Sequence, residues 1–391
     1  MSWLGKKDRG FRLTFVLLMM MATAAMAQQT PPAPAPKPSQ VPPAEAGGPE
    51  GNIGPIAIPK KKEEPPAPKP QPPRKIAGMP DYSLTVDTTL VQVPVLVTTR
   101  GGQFIPGLKQ DNFRVQEDGV PQKITKFEVS QAPITAVLLV EFANTNYRFM
   151  YDALNAAYTF ADTLKPQDWV AVVAFDMKPQ ILVDFTQDKR QIFGALNQLR
   201  IPGFSERNVY DALYDTLDRV DGIDGRKYIV LISGGCDTFS RITYDKLLKK
   251  IKATPNVTIF TISTGEAFRM WAESVGLGTS PSIMPCADQM AYLQADNQMR
   301  TYASLTGGQW FKPRFEGDMR DIFRDIGSGI RNEYLLAYHP TNNKLDGTYR
   351  KLKVEVVAPN GGPLKVRDQK GKDVKFQVVA REGYTAKHEV E

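Results

Sequence analysis

From about residue 133 the chain alternates short apolar runs with stretches whose apolar positions recur at helical spacing. Ala136-Val137-Leu138-Leu139-Val140 is continuously apolar, the pattern of a strand buried on both faces rather than one. Trp169 to Phe175, Tyr228 to Ser233 and Val257 to Ile262 repeat it, and Gln309-Trp310-Phe311 reads as a last, short strand. Between these runs, Val209, Ala212, Leu213, Thr216, Leu217 and Val220 fall at i, i+3, i+4, i+7, i+8 and i+11. Tyr244, Leu247, Leu248 and Ile251 form a second such stripe, and Ile322, Phe323, Ile326 and Ile330 a third. Buried strands alternating with amphipathic helices predict an α/β unit over residues 133–332, a doubly wound, mostly parallel sheet covered on both faces. Ile181 to Phe185 follows its predecessor too closely for a helical crossover, so it is expected as an antiparallel edge hairpin.

The flanks carry a different period. Val91, Val93, Val95 and Val97 alternate with other residues, and Phe113 to Glu117 ends in the turn dipeptide Asp118-Gly119, with Ile124 and Phe127 beyond it. After residue 332, Tyr334 to Tyr338, Lys353 to Val357 and Lys375 to Val379 are again strand-like. Neither flank has enough strands to bury a face alone. Residues 81–132 and 333–385 are therefore expected to pair into one antiparallel β-sandwich, discontinuous in sequence, with 386–391 as a tail. No internal repeat is visible.

The first 27 residues read as a secretory signal. Lys6, Lys7, Arg9 and Arg12 precede the uncharged run Leu13 to Ala24, and Ala25-Met26-Ala27 places small residues where a signal peptidase looks. The alternative is an uncleaved anchor, for which the run is short of the roughly 20 residues a bilayer span prefers. No Cys follows the run, so lipid attachment is not indicated, and there is no second candidate span. Residues 28–80 hold 17 of the 31 prolines. Such a segment has little to bury and reads as an extended tether, with capture of a proline-reading partner as the alternative.

This division changes the meaning of the net charge of +7. The signal carries four Lys/Arg against Asp8 and the tether seven Lys/Arg against four Glu, so residues 81–391 are close to neutral at about +1. A near-neutral folded region gives no electrostatic basis for nucleic-acid binding.

The order of elements over 133–332 resembles the von Willebrand factor type A domain. Its flanks resemble the extension of a bacterial von Willebrand A-related subfamily, on the marks Phe113 to Gly119, Leu305-Thr306-Gly307-Gly308, Glu333 to Pro340 and Arg381-Glu382-Gly383-Tyr384. The resemblance implies a metal-ion-dependent adhesion site at the carboxyl ends of the parallel strands. There an Asp-x-Ser-x-Ser loop, a Thr and a strand-ending Asp hold Mg²⁺, which wants about six hard oxygens. Carried onto this chain, the loop is Glu141-Phe142-Ala143-Asn144-Thr145, the Thr position falls on or next to Arg207, and the strand-ending Asp falls on Gly234. Ala143 and Gly234 offer no ligand, Arg207 is a cation, and Glu141 is a longer acid; Thr145 keeps a hydroxyl. The expectation is a degenerate site in which Arg207 takes the cation's place and pairs with Glu141, with no metal cofactor. Mg²⁺ held by Glu141, Thr145 and Asp237 is the alternative. The loops around it contain Tyr147, Arg148, Phe204, Phe239 and Arg241, types enriched in protein-binding hot spots; the plain alternative is that they are ordinary loop residues.

Cys236 follows the fourth strand and Cys286 lies in the long segment after the fifth. In an exported chain they are expected to form a disulfide, against two separate thiols. The insertion Glu266 to Asp288, with Met270, Trp271 and Met284, reads as either a partner-binding lid or a packed loop. An enzyme is not expected: the histidines are His339 and His388, neither beside a nucleophile, and no glycine-rich phosphate loop follows the first strand. Three readings stand at this point: an exported module binding a protein partner in the envelope or extracellular space, a structural subunit of an envelope assembly, and a Mg²⁺-dependent adhesion protein.

Overall fold

The computed structural model describes residues 90–99, 102–129, 133–143, 157–158, 160–199, 206–274, 276, 289–315, 317–367 and 371–386. The expected signal and tether, and residues Thr145, Tyr147, Arg148, Phe204, Met284, Cys286 and His388, lie outside them. The chain separates into two compact units, Met1–Ala67 and Pro68–Glu391, and every described residue belongs to the second.

The central sheet has six strands in the order Trp310–Phe311, Val257–Ser263, Lys227–Ser233, Thr135–Glu141, Trp169–Phe175, Pro179–Thr186. The first five run parallel, and Pro179–Thr186 is antiparallel to its neighbour. Only Asp176, Met177 and Lys178 separate Trp169–Phe175 from that edge strand, too few for a crossover. The four inner strands are buried along their whole length, because alternate side chains of each enter different cores. Ala136, Leu138 and Val140 pack with Phe160, Phe323, Ile326 and Ile330 on one face. Val137 and Leu139 pack with Val209, Leu213, Leu217, Leu247 and Tyr302 on the other. The three helical stripes become the helices Val209–Asp221, Tyr244–Ala253 and Asp318–Asn332.

Three further helices were not visible in the periodicity. Lys189–Gln198 starts at Asp188, whose carboxylate caps the Arg190 amide. Gln289–Thr306 packs Met299 and Tyr302 onto the sheet, but its inner face includes buried Gln298 and Thr306, which break the apolar stripe. The segment from Glu266, read as a partner-binding lid or a packed loop, begins inside a helix, Gly265–Ser274. No helix among the described residues is long and apolar enough to cross a membrane.

The flanks interleave in two four-stranded antiparallel sheets. One has the order Phe376–Ala380, Val91–Thr99, Tyr334–Tyr338, Ile124–Val129, the other Gly383–Thr385, Tyr349–Val356, Phe113–Glu117, Val120–Gln122. Each mixes strands from before and after the α/β unit, and Val93, Val95, Phe113, Val115, Tyr334, Leu336 and Leu352 fill the core they share. The turn at Asp118-Gly119 has both residues at positive φ, 49° and 83°, the backbone of the two-residue hairpin its sequence suggests.

Lys227 opens one of the central strands at 3% exposure, giving its ammonium to Ile223 O at 2.9 Å. Burial pulls its pKa down to about 8, against the attraction of Asp221 and Asp224. A depressed base binds its proton less well folded than unfolded, so this residue lowers stability at neutral pH. The loss is relieved as pH rises from about 8 towards 10.5. Lys227→Met is expected to raise stability at pH 7 by about 2 kcal/mol and to flatten the rise between those pH values. Urea unfolding across that range checks it; an unchanged slope would remove Lys227 as its source.

Candidate functional site

Glu141 is the last residue of the central strand and is 2% exposed. A carboxylate so placed needs its charge answered, and its two oxygens are engaged separately. Oε1 faces Arg207 Nη1 at 3.3 Å. Oε2 accepts from Ser233 Oγ at 2.5 Å and from the Gly234 amide at 2.8 Å. Thr135–Glu141 pairs directly with Lys227–Ser233, so strand adjacency brings Ser233 and Gly234 to the carboxylate.

Arg207 is held by its backbone from the opposite side. Its amide donates to Thr238 Oγ1 at 2.8 Å and its carbonyl accepts from the Thr238 amide at 2.9 Å. The next residue, Asn208, donates its amide to Asp176 O and its side-chain amide to Met177 O, both at 2.9 Å. The segment carrying the guanidinium is thus tied to the loops on both sides.

Asp237 is used elsewhere. Its Oδ1 accepts from the Tyr210 amide at 3.1 Å and Ser240 Oγ at 2.5 Å, and its Oδ2 from the Ser240 amide at 3.2 Å. It therefore serves the first turn of the helix Val209–Asp221, and the structure does not bring it into the Glu141 pair. Arg241 donates through Nε and its backbone amide to Asp211. Ala143 is fully buried, and Gly234 contributes only its backbone.

Tyr292 belongs to this site and was not anticipated. From the helix Gln289–Thr306 its ring lies over Gly265, where an added methyl would stand 3.0 Å from Tyr292 Cε1 and 3.1 Å from Gly234 O. Burial raises its phenol pKa, Arg207 and Arg269 oppose that rise, and Glu141 adds to it. Beside it, Asp296 accepts from Ser263 Oγ at 2.6 Å and faces Lys312 Nζ at 2.8 Å; Lys312 also pairs with Glu266. The charges at this edge of the sheet are answered within the chain, while Phe239 and Met290 stand 71% and 70% exposed.

Among the described residues, the Glu141 carboxylate is already engaged on both oxygens. A hard divalent ion needs several oxygens free to turn towards it, and Glu141 is shared among a guanidinium, a hydroxyl and an amide. Among the described residues, no three His, Cys, Asp or Glu side chains come together as a metal-binding group. Cys236 is 5% exposed just past its strand; the other cysteine, Cys286, lies outside the described residues. His339 follows Tyr334–Tyr338 at the surface.

Residues 129–236 match the family model described as von Willebrand factor type A domain. No curated protein matched the chain. Among solved structures it is similar to a von Willebrand factor type A protein from Catenulispora acidiphila, at 12% identity over 75% of this chain and 74% of that one, TM-score 0.38. It is also similar to the PilB minor pilin from Streptococcus sanguinis, at 10% identity, covering 52% of this chain and 62% of the pilin, TM-score 0.37. A third is the conserved hypothetical protein BatB from Bacteroides thetaiotaomicron, at 11% identity, covering 51% of this chain and all 100% of that one, TM-score 0.35.

Proposed function

We propose, taking as premise that residues 129–236 carry a von Willebrand factor type A domain, that this chain is an exported, non-enzymatic protein-binding module whose adhesion site works without metal. The observation that carries the reading is the buried ion pair of Arg207 with Glu141 at 3.3 Å. A fixed guanidinium stands on the acid that would otherwise help to hold a cation. A domain of this kind is left with its loop surface as the means of recognition, since open parallel sheets bind ligands beyond the carboxyl ends of their strands.

In this reading, residues 1–27 direct export and 28–80 hold the folded part away from its point of attachment. The partner is a protein of the envelope or extracellular space. Contacts come from Phe239 and Arg241 together with Tyr147, Arg148 and Phe204. Cys236, which carries no free thiol, is joined to Cys286, pinning the long segment after Val257–Ser263.

Capture of an envelope protein by the immobilised chain tests this, with and without chelator. Chelator is expected to leave capture unchanged, and Phe239→Ala to weaken it about tenfold or more. The side chain is 71% exposed, so the variant keeps its stability. Capture that chelator abolishes would instead favour metal-dependent adhesion. Capture indifferent to Phe239→Ala would move the contact to the β-sandwich or the sheet edge.

A further inference from the structure

Four cationic side chains are buried among the described residues: Arg207, Lys227, Arg350 and Arg381. Arg207 and Arg350 face the buried acids Glu141 and Glu117, and Lys227 is attracted by Asp221 and Asp224. Arg381 has no such counterpart. It is 9% exposed and its Nε donates to Gly383 O at 2.8 Å, but no carboxylate among the described residues pairs with it. Burial pulls its pKa below the usual arginine value, and the phenols of Tyr349, Tyr338 and Tyr384 act the other way.

The groups nearby are donors too. Tyr349 stands over Gly383, where an added methyl would lie 2.7 Å from its hydroxyl oxygen. That buried hydroxyl has no hydrogen-bond partner among the described residues, and burial raises its pKa, so it stays protonated. Lys252, near the end of the helix Tyr244–Ala253, holds its ammonium 4.9 Å from the Tyr349 ring centroid and has no ion pair among the described residues. The exposed Glu382 is the acid next in sequence, and its charge adds to the rise in the Tyr349 pKa, but among the described residues it forms no ion pair with either cation. Two contacts clamp this corner. Thr385 Oγ1 donates to Lys252 O at 3.2 Å, and a methyl on Gly307 would stand 2.6 Å from the Arg381 amide nitrogen. The sandwich supplies Arg381 and Tyr349, and the α/β unit supplies Lys252.

We propose that Arg381, Tyr349 and Lys252 form an oxyanion-binding site where the β-sandwich meets the α/β unit, taking the phosphate or carboxylate group of a ligand. A buried charge without a counter-charge is strongly unfavourable. A guanidinium beside a neutral O–H donor and an ammonium is the chemistry that receives such a group. The site lies apart from the Glu141–Arg207 edge and does not depend on the function proposed for it.

Isothermal titration of the folded chain with inorganic phosphate, and separately with acetate at matched ionic strength, tests the site. Saturable binding of at least one anion is expected, and the arm that responds identifies the ligand group. Arg381→Gln should abolish the binding. Tyr349→Phe should weaken it about tenfold while leaving the anion-free Tm unchanged or higher, because the hydroxyl it removes has no partner to lose. Binding of neither anion by the parent chain, or binding that survives both substitutions, would overturn the proposal.

Discussion

Arg207→Ala is expected to lower the unfolding free energy by about 3–5 kcal/mol, because it strands a charge inside the protein. Glu141 has 0% side-chain exposure and Arg207 6%, so water cannot replace the guanidinium at Oε1. The hydroxyl of Ser233 and the amide of Gly234 stay on Oε2, but neutral donors do not cancel a full charge. The double variant Glu141→Gln with Arg207→Met removes both charges and keeps comparable volume. It should recover to within about 1 kcal/mol of the parent, since a buried pair contributes little over a well-packed neutral replacement. Urea unfolding of the parent, single and double variants gives the coupling directly. Millimolar Mg²⁺ should leave the parent Tm unchanged, because a ligand stabilises only the state that binds it. A loss below about 1 kcal/mol for Arg207→Ala, or a parent Tm that climbs with Mg²⁺, would mean that a cation other than Arg207 answers Glu141.

How much of this could be read beforehand follows from where each signal resides. The inner strands were legible because both faces are covered, which leaves uninterrupted runs such as Ala136 to Val140. The edge strand was legible from the shortness of its connection, and the Asp118-Gly119 hairpin from local turn chemistry. Arg207 and Glu141 could be placed on one site only through the order of elements, since 66 positions separate them. Tyr292 left no such signal. It belongs to a helix with polar residues on its inner face, beyond an insertion that hides the connection, and only the close approach over Gly265 reveals its position. The role of Asp237 was likewise out of reach, because the groups it caps at Tyr210 and Ser240 meet only after the sheet has formed. In the flanks, strand alternation buries Arg350 on the same side as Leu352, against the expectation for a charged residue. What reverses that expectation is Glu117, 233 positions away.

Glu117→Ala is expected to destabilise the chain by about 3–5 kcal/mol, for a reason particular to a sandwich assembled from two distant segments. Glu117 Oε1 faces Arg350 Nη1 at 3.3 Å, and its Oε2 accepts from the hydroxyls of Tyr338 at 2.5 Å and Tyr384 at 2.9 Å. One residue of the early flank thereby satisfies three of the late flank, across separations of 221 to 267 positions. Arg350 is 2% exposed, and its other guanidinium contacts are the carbonyls of Asn342 and Lys344 and, at 4.0 Å, the more exposed carboxylate of Asp346. Without Glu117 it keeps only the distant, partly solvated Asp346 as counter-charge, and two phenols lose their acceptor. Pairing the change with Arg350→Met should restore most of the loss, whereas Tyr384→Phe alone, which deletes one donor and leaves the ion pair, should cost about 1 kcal/mol. Chemical unfolding of the three variants, followed by near-ultraviolet circular dichroism of the tyrosines, separates these amounts. If Glu117→Ala costs no more than Tyr384→Phe, the ion pair is not what fastens the late flank to the early one. The hydrophobic faces around Val93, Phe113 and Leu336 would then suffice to close the sandwich.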